Sequence, residues 1–120
     1  MDEDRHPKPV RWVGSSKADL TQLSLDVKHE VGQALWNIQC GDTPMNTKQL
    51  KGKLATVREI IIDEDGETFR IMYTTKLGNF VYVLDVFHKK AEKGIATPQK
   101  DVRRVEQRLR DATEHYAENP

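Results

Sequence analysis

Val57-Arg58-Glu59-Ile60-Ile61-Ile62-Asp63-Glu64-Asp65-Gly66-Glu67-Thr68-Phe69-Arg70-Ile71-Met72-Tyr73 holds two arms rich in β-branched and aromatic residues, joined by Asp65-Gly66. An Asp-Gly pair between such arms is a hairpin signal, because both residues accept the backbone angles of a tight turn. The arms read as strands over about Thr56–Asp63 and Thr68–Thr75. Leu77-Gly78-Asn79 supplies a second turn, and Asn79–Phe87 a third strand containing the most apolar run of the chain, Phe80 to Phe87. The economical reading is a three-stranded antiparallel meander. In its middle strand, a period of two buries Phe69, Ile71 and Tyr73 on one face and turns Arg70 to the other.

The flanking segments are less regular. Residues 1–9 are polar with two prolines and read as a loose tail, leaving one domain over 10–117. Val10-Arg11-Trp12-Val13 is a short strand ended by Gly14, and Ser15 or Ser16 can cap a brief helix over Lys17 to Leu23. Ser24 can cap a second helix from Leu25 to about Gln39, with Val27, Val31, Ala34, Leu35 and Ile38 on one face. Trp12 and Trp36 are expected in the core. Asp42 to Lys53, with Pro44 and Gly52, reads as a loop carrying Lys48, Lys51 and Lys53. Ala91 to Ala96 reads as another. Thr97-Pro98 opens a last helix running to about Tyr116, with Val102, Val105, Leu109 and Ala112 as its stripe. The fold class is α+β: N-terminal strand, helical hairpin, meander in one mainly antiparallel sheet, and C-terminal helix, with the helices expected on one side.

Composition narrows the function classes. With 120 residues and 37% hydrophobic content, the chain can bury one core, and no apolar stretch approaches a membrane span. Cys40 is the only cysteine, so no internal disulfide forms, and a reducing cytoplasm is the simplest expected location. The formal net charge is +0, yet residues 48–110 carry fourteen Lys and Arg against nine acids, while the two ends are acidic. That distribution suits a local polyanion site as well as an ordinary solvated surface.

Metal and cofactor motifs are missing from the sequence, so none is expected. His6, His29, His88 and His115 are far apart, and His29-Glu30 fails as half of a zinc-protease helix because Gln33 stands where the second histidine belongs. Neither a phosphate-cradling glycine loop nor a nucleophile elbow occurs. Cations and phenols remain. RNA can be cut with these alone, since its own 2′-hydroxyl attacks the adjacent phosphate. Side chains then remove one proton, supply another and stabilise the charge on phosphorus. The candidates are Arg70 as a phosphate clamp, with His88 as acid or base and Lys89 and Lys90 as phosphate ligands. Each has a plainer reading: Arg70 as a salt bridge to Glu59, His88 as a satisfied strand-end residue, the lysines as solvated charges. Lys51, Lys53 and Arg58 could line the same surface or simply face water. Tyr73 could stack a base or fill the core.

Several stretches together resemble the RelE/ParE superfamily of bacterial toxins, in its phage-derived HigB-like branch. They are Val10-Arg11-Trp12-Val13-Gly14-Ser15-Ser16, Lys48-Gln49-Leu50-Lys51-Gly52, Val57-Arg58-Glu59-Ile60, Phe69-Arg70-Ile71-Met72-Tyr73 and Val83-Leu84-Asp85-Val86-Phe87-His88-Lys89-Lys90. The last continues as Ala91-Glu92-Lys93-Gly94-Ile95-Ala96-Thr97-Pro98, and the resemblance spans about Val10 to Tyr116. It implies the toxin of a type II toxin–antitoxin pair that cuts mRNA on the ribosome and is held by a helix-turn-helix antitoxin, with no membrane role. It maps the family's strand arginine onto Arg70, its following cations onto Lys89 and Lys90, and its basic loop onto Lys51 and Lys53. The superfamily also implies another role, a ParE-like toxin that blocks gyrase, and the near-neutral total charge suits a third, a degenerate member that acts by binding its antitoxin. An RNA site of this kind should lose affinity steeply as salt rises, measured by titration of a single-stranded RNA; a flat response would point to a protein target.

Overall fold

The hairpin at Asp65-Gly66 forms as its residues require. Asp65 has φ 51° and Gly66 φ 78°, and Glu64 pairs directly with Glu67, so two positive-φ residues close the turn. The computed structural model describes residues 6–89 and 97–120. Its elements are β1 (Val10–Trp12), α1 (Ser16–Thr21), α2 (Leu25–Gln39), β2 (Thr47–Gln49), β3 (Arg58–Glu64), β4 (Glu67–Thr74), β5 (Val81–Lys89) and α3 (Gln99–Glu118). The sheet has five strands in the order β1-β5-β4-β3-β2; β1 runs parallel to β5 and every other pairing is antiparallel. Ser24 caps α2 as expected, its side chain accepting from the Val27 N–H at 3.3 Å, an arrangement worth about 1 kcal/mol. No helix among the described residues is long and apolar enough to cross a membrane.

Three expectations need correction. The segment from 42 to 53 is not only a loop: Thr47–Gln49 pairs with Ile60, Glu59 and Arg58, and a 3-10 turn follows over Gly52–Leu54. Three residues are too few to show a period of two; β2 exists because the edge of β3 offers unpaired backbone groups. Trp36 is 50% exposed on the outer face of α2, outside the core. The helices also do not share one side. Val27, Val31, Ala34, Leu35 and Ile38 of α2 pack on Ile60, Ile62, Phe69, Ile71, Tyr73, Val81, Val83 and Val86. Val105 and Ala112 of α3 pack on Met72, Tyr82 and Leu84 across the opposite face. Strands buried on both faces read as continuous apolar runs, and Phe80 to Phe87 is such a run.

A bulge sets the register of β5. Met72 faces Asp85, but the next pair is Tyr73 with Val83, so β5 carries one extra residue there. Val83 and Val86 both reach the α2 core, while Leu84 and Asp85 both turn to α3. Asp85 is 1% exposed and takes Arg104 Nε at 2.7 Å on Oδ2 and Arg108 Nη1 at 2.8 Å on Oδ1. Arg104 also donates to Asp101 at 2.7 Å, and Arg108 Nη2 reaches the Ser15 hydroxyl at 2.9 Å. Burial alone would pull the Arg104 pKa down, but Asp85 and Asp101 outweigh it and the net shift is upward.

The far end of α3 is fastened separately. The Arg11 guanidinium lies 3.4 Å over the Phe80 ring and donates to Tyr82 Oη at 2.7 Å, while Tyr82 Oη pairs with His115 Nδ1 at 3.0 Å. Gly78 permits this packing, because with φ 59° any side chain there is strained and its Cβ would collide with Tyr116. Removing the acid from the Asp85 cluster should leave Arg108 without a carboxylate partner and Arg104 with Asp101 alone. Asp85→Ala is expected to cost about 3–5 kcal/mol in a denaturant titration, and a loss below about 1 kcal/mol would show that the cluster is not holding α3.

Candidate functional site

Arg70 sits in the middle of β4, between Ile61 of β3 and Phe87 of β5, on the face that α3 covers. Its Nη1 contacts Glu59 Oε1 at 2.8 Å; the Arg70 side chain is 16% exposed and that of Glu59 1%. Glu59 is the register partner of Met72, two residues along from Arg70, so the pair is a diagonal cross-strand contact. The expected open strand face is therefore a half-buried one, and the ion pair named as the plainer reading is present. The pair is incomplete. Glu59 Oε2 and Arg70 Nε are both buried without a hydrogen-bond partner among the described residues. Leaving such groups unmatched costs about 1–3 kcal/mol each, more for charged ones.

The other candidates divide between the two faces of the sheet. Lys51 is exposed and lines a 260 Å³ cavity with Leu50, Leu54, Met72, Thr97, Val102 and Val105, on the same face as Arg70. Lys53 is exposed in the adjoining 3-10 turn. Lys48 of β2 is exposed and stands directly across from Glu59. Lys89 is the last residue of β5, opposite Thr68, and Lys90 lies outside the described residues.

His88 is separated from Arg70. It is the register partner of Phe69, whose ring lies 5.0 Å away on the α2 side, and its Nε2 is 3.7 Å from Glu67 Oε1. The bulge in β5 is the reason. Without the extra residue, the alternation along β5 would carry position 88 to the α3 face. Arg58 also belongs to the α2 side. It pairs with Tyr73 and donates to Gln49 Oε1 at 3.0 Å and Thr43 Oγ1 at 3.2 Å.

Tyr73 is 0% exposed within the α2 core, so its ring is no stacking platform for a base. Its hydroxyl neighbours Arg58 and Thr47 but makes no hydrogen bond of normal geometry. Burial pushes its pKa up, and the nearby Arg58 only partly offsets this.

Sequence reasoning passed over Glu59 as a functional group, and it missed Arg104 and Arg108 altogether. The signal for the arginines was an isolated acid, Asp85, inside the most apolar run, with two arginines four apart on the last helix. The two sides of the molecule also differ in charge. The Glu64 pKa is raised, first by a hydrogen bond with Glu30, then by desolvation and by the charges of Glu30, Asp65 and Asp26. Glu64, Glu30, Asp65 and Asp26 thus lie close together on the α2 side, and Lys48, Lys51 and Arg70 share the α3 side with Glu59, Asp85 and Asp101.

Tyr73→Phe removes a buried hydroxyl that has no hydrogen-bond partner among the described residues, so stability at neutral pH should be unchanged or slightly higher. The raised folded-state pKa means the wild-type phenol favours the folded state until pH rises past its usual value of about 10, and that contribution is lost through the folded pKa. Tyr73→Phe should abolish that part of the alkaline loss in unfolding titrations. An unchanged alkaline profile would show that Tyr73 ionises freely.

The family model described as phage-derived protein Gp49-like (DUF891) matches residues 18–110. No curated protein matches the chain. Among solved structures, a chain of the toxin–antitoxin complex RelBE2 from Mycobacterium tuberculosis superposes with a TM-score of 0.51 at 21% identity. The match covers 70% of this chain and 100% of that one. At that identity the likeness establishes the fold, an α+β arrangement of RelE type. Fold and family model agree, and the chain belongs to the phage-derived Gp49-like family, a family of RelE/HigB type.

Proposed function

We propose that this protein is the toxin of a toxin–antitoxin pair and acts as a ribosome-dependent mRNA endonuclease. The observation that carries the reading is Arg70, at mid-strand in β4 and paired with Glu59, on the sheet face that also carries Lys48 and Lys51 in a RelE-type fold. Membership of the Gp49-like family and the likeness to a chain of a toxin–antitoxin complex support it.

In the proposed reaction the 2′-oxygen of one nucleotide bonds to the adjacent phosphorus, and the 5′-oxygen of the next nucleotide leaves with a proton. The products are a 2′,3′-cyclic phosphate and a free 5′-hydroxyl. Arg70 donates to the non-bridging phosphate oxygens as charge builds on them, the role in which preorganised donors contribute most. Lys89 and Lys90 follow Phe87 at the end of β5 and are assigned to the same phosphate or its leaving side. Lys51 and Lys53 are assigned to the phosphates of flanking nucleotides or ribosomal RNA, as charged contacts that position without reading sequence. Arg58, Tyr73 and His88 stand on or within the α2 side and are left out of the proposed site. The partner that restrains the toxin is taken to be a helix-turn-helix antitoxin, forming a hetero-oligomer with it.

The test is a purified translation reaction with added protein and message ends mapped by primer extension. Cuts confined to translated message, and reduced at least about a hundredfold by Arg70→Ala, are the expected result. Intact message with normal protein yield would overturn the nuclease reading. Arrested replication in induced cells would then favour a gyrase-blocking toxin, and uninhibited growth a member that only binds its antitoxin.

A further inference from the structure

Glu59 is the one buried carboxylate for which neither the fold nor the proposed reaction yet has a use. Asp85, the other acid at 1% exposure, has both oxygens engaged by arginines. Glu59 is equally buried, lies mid-strand in a sheet covered on that face, and engages Arg70 through a single contact, Nη1 to Oε1. We propose that Glu59 is a positioning residue: it holds the Arg70 guanidinium in the orientation that meets the scissile phosphate. The inference rests on the nuclease reading above, and it makes the ion pair and the phosphate clamp one device.

Three features of the pair support this. A guanidinium has an end-on edge, formed by Nη1 and Nη2, and a side-on edge, formed by Nε and Nη2. Glu59 engages Nη1, and Nε has no hydrogen-bond partner among the described residues. Because Nε is buried, a phosphate can reach the guanidinium only at its terminal nitrogens, of which Glu59 engages one. A bidentate pair with Glu59 would tie up a whole edge of the fork; the one-point contact fixes the group and does not.

The second feature is rigidity. Glu59 and Arg70 stand on adjacent strands whose register runs without a break from Arg58–Tyr73 to Glu64–Glu67. The break in the sheet falls between β4 and β5, at Met72 and Tyr73, and not between the strands that carry the pair. A catalytic cation held by a neighbour on a continuous ladder keeps its place better than one on a loop. The third is charge. A lone carboxylate beside a phosphate would repel it, but Glu59 is matched by Arg70, and Lys48 stands directly across from it on β2. Two cations thus stand about the one buried carboxylate of this ladder.

The experiment is a double-mutant cycle in the purified translation reaction, with Glu59→Gln, Arg70→Ala and the two combined, and melting curves for each protein. Glutamine keeps the shape and removes the charge. Glu59→Gln is expected to lower kcat about ten- to a hundredfold with KM changed less than about twofold, and to add nothing in the Arg70→Ala background. Wild-type kcat in folded Glu59→Gln, or losses that multiply in the double variant, would overturn the inference. Should Glu59→Gln fail to fold, Glu59→Asp decides. It retains the charge but withdraws it by one methylene, so a lowered kcat in the folded protein supports positioning and a wild-type kcat overturns it. Wild-type protein that leaves message intact would overturn the nuclease reading and this inference together, whereas cutting by wild type with an unaffected Glu59→Gln overturns only the inference.

Discussion

A charged carboxylate cannot be left in an apolar core, and Asp85 sits in the most apolar strand of this chain. Strict alternation after Leu84, which faces α3, would aim Asp85 at the α2 core. The bulge in β5 turns it the other way, onto Arg104 and Arg108. Much follows from that one displacement. It joins α3 to the sheet, brings in α1 through the Ser15 hydroxyl, and resets every later position of β5. Val86 reaches the α2 core because of it, and His88 lies beside Phe69 and not beside Arg70.

That reset also explains which parts of the molecule were legible in the sequence. Asp65-Gly66 specified its hairpin by local backbone preference, and Ser24 specified the start of α2 by its hydroxyl; neither depends on anything distant. The two-sided sheet was written in the unbroken apolar run from Phe80 to Phe87, but a run without alternation does not say which element covers which face. β2 was hidden because three residues take their conformation from the edge of β3. A bulge has no composition of its own, so the side occupied by His88 was open until the register was known. Tyr73 was readable in the other direction: its place in the Phe69, Ile71, Tyr73 alternation already pointed to the core that it occupies.

For the candidate site, the sequence offered Arg70 two roles as alternatives, and the structure shows why they were hard to separate. The arginine is paired, as a structural residue would be, yet Glu59 Oε2 and Arg70 Nε find no hydrogen-bond partner among the described residues. Local strain or unmet polar groups held in place by a rigid scaffold are what functional sites commonly carry. The formal charge of +0 is likewise unevenly arranged. Glu64, Glu30, Asp65 and Asp26 lie close together on the α2 side, while Lys48 and Lys51 stand on the α3 side, where Arg70 is paired with Glu59.

The parallel contact between β1 and β5 has a consequence for how the chain comes to life. Val10, Arg11 and Trp12 pair with Val81, Tyr82 and Val83, so the first strand of this sheet has no place to settle until the fifth has been made. The β3–β4 hairpin can close soon after its residues emerge, but the first strand must wait, since contacts across so long a separation form late. Arg11 waits with it, and the clasp that it forms with Phe80, Tyr82 and His115 cannot close before α3 supplies the histidine. A sheet of this topology is thus built from its middle outward in time, with one edge held open for a partner made much later.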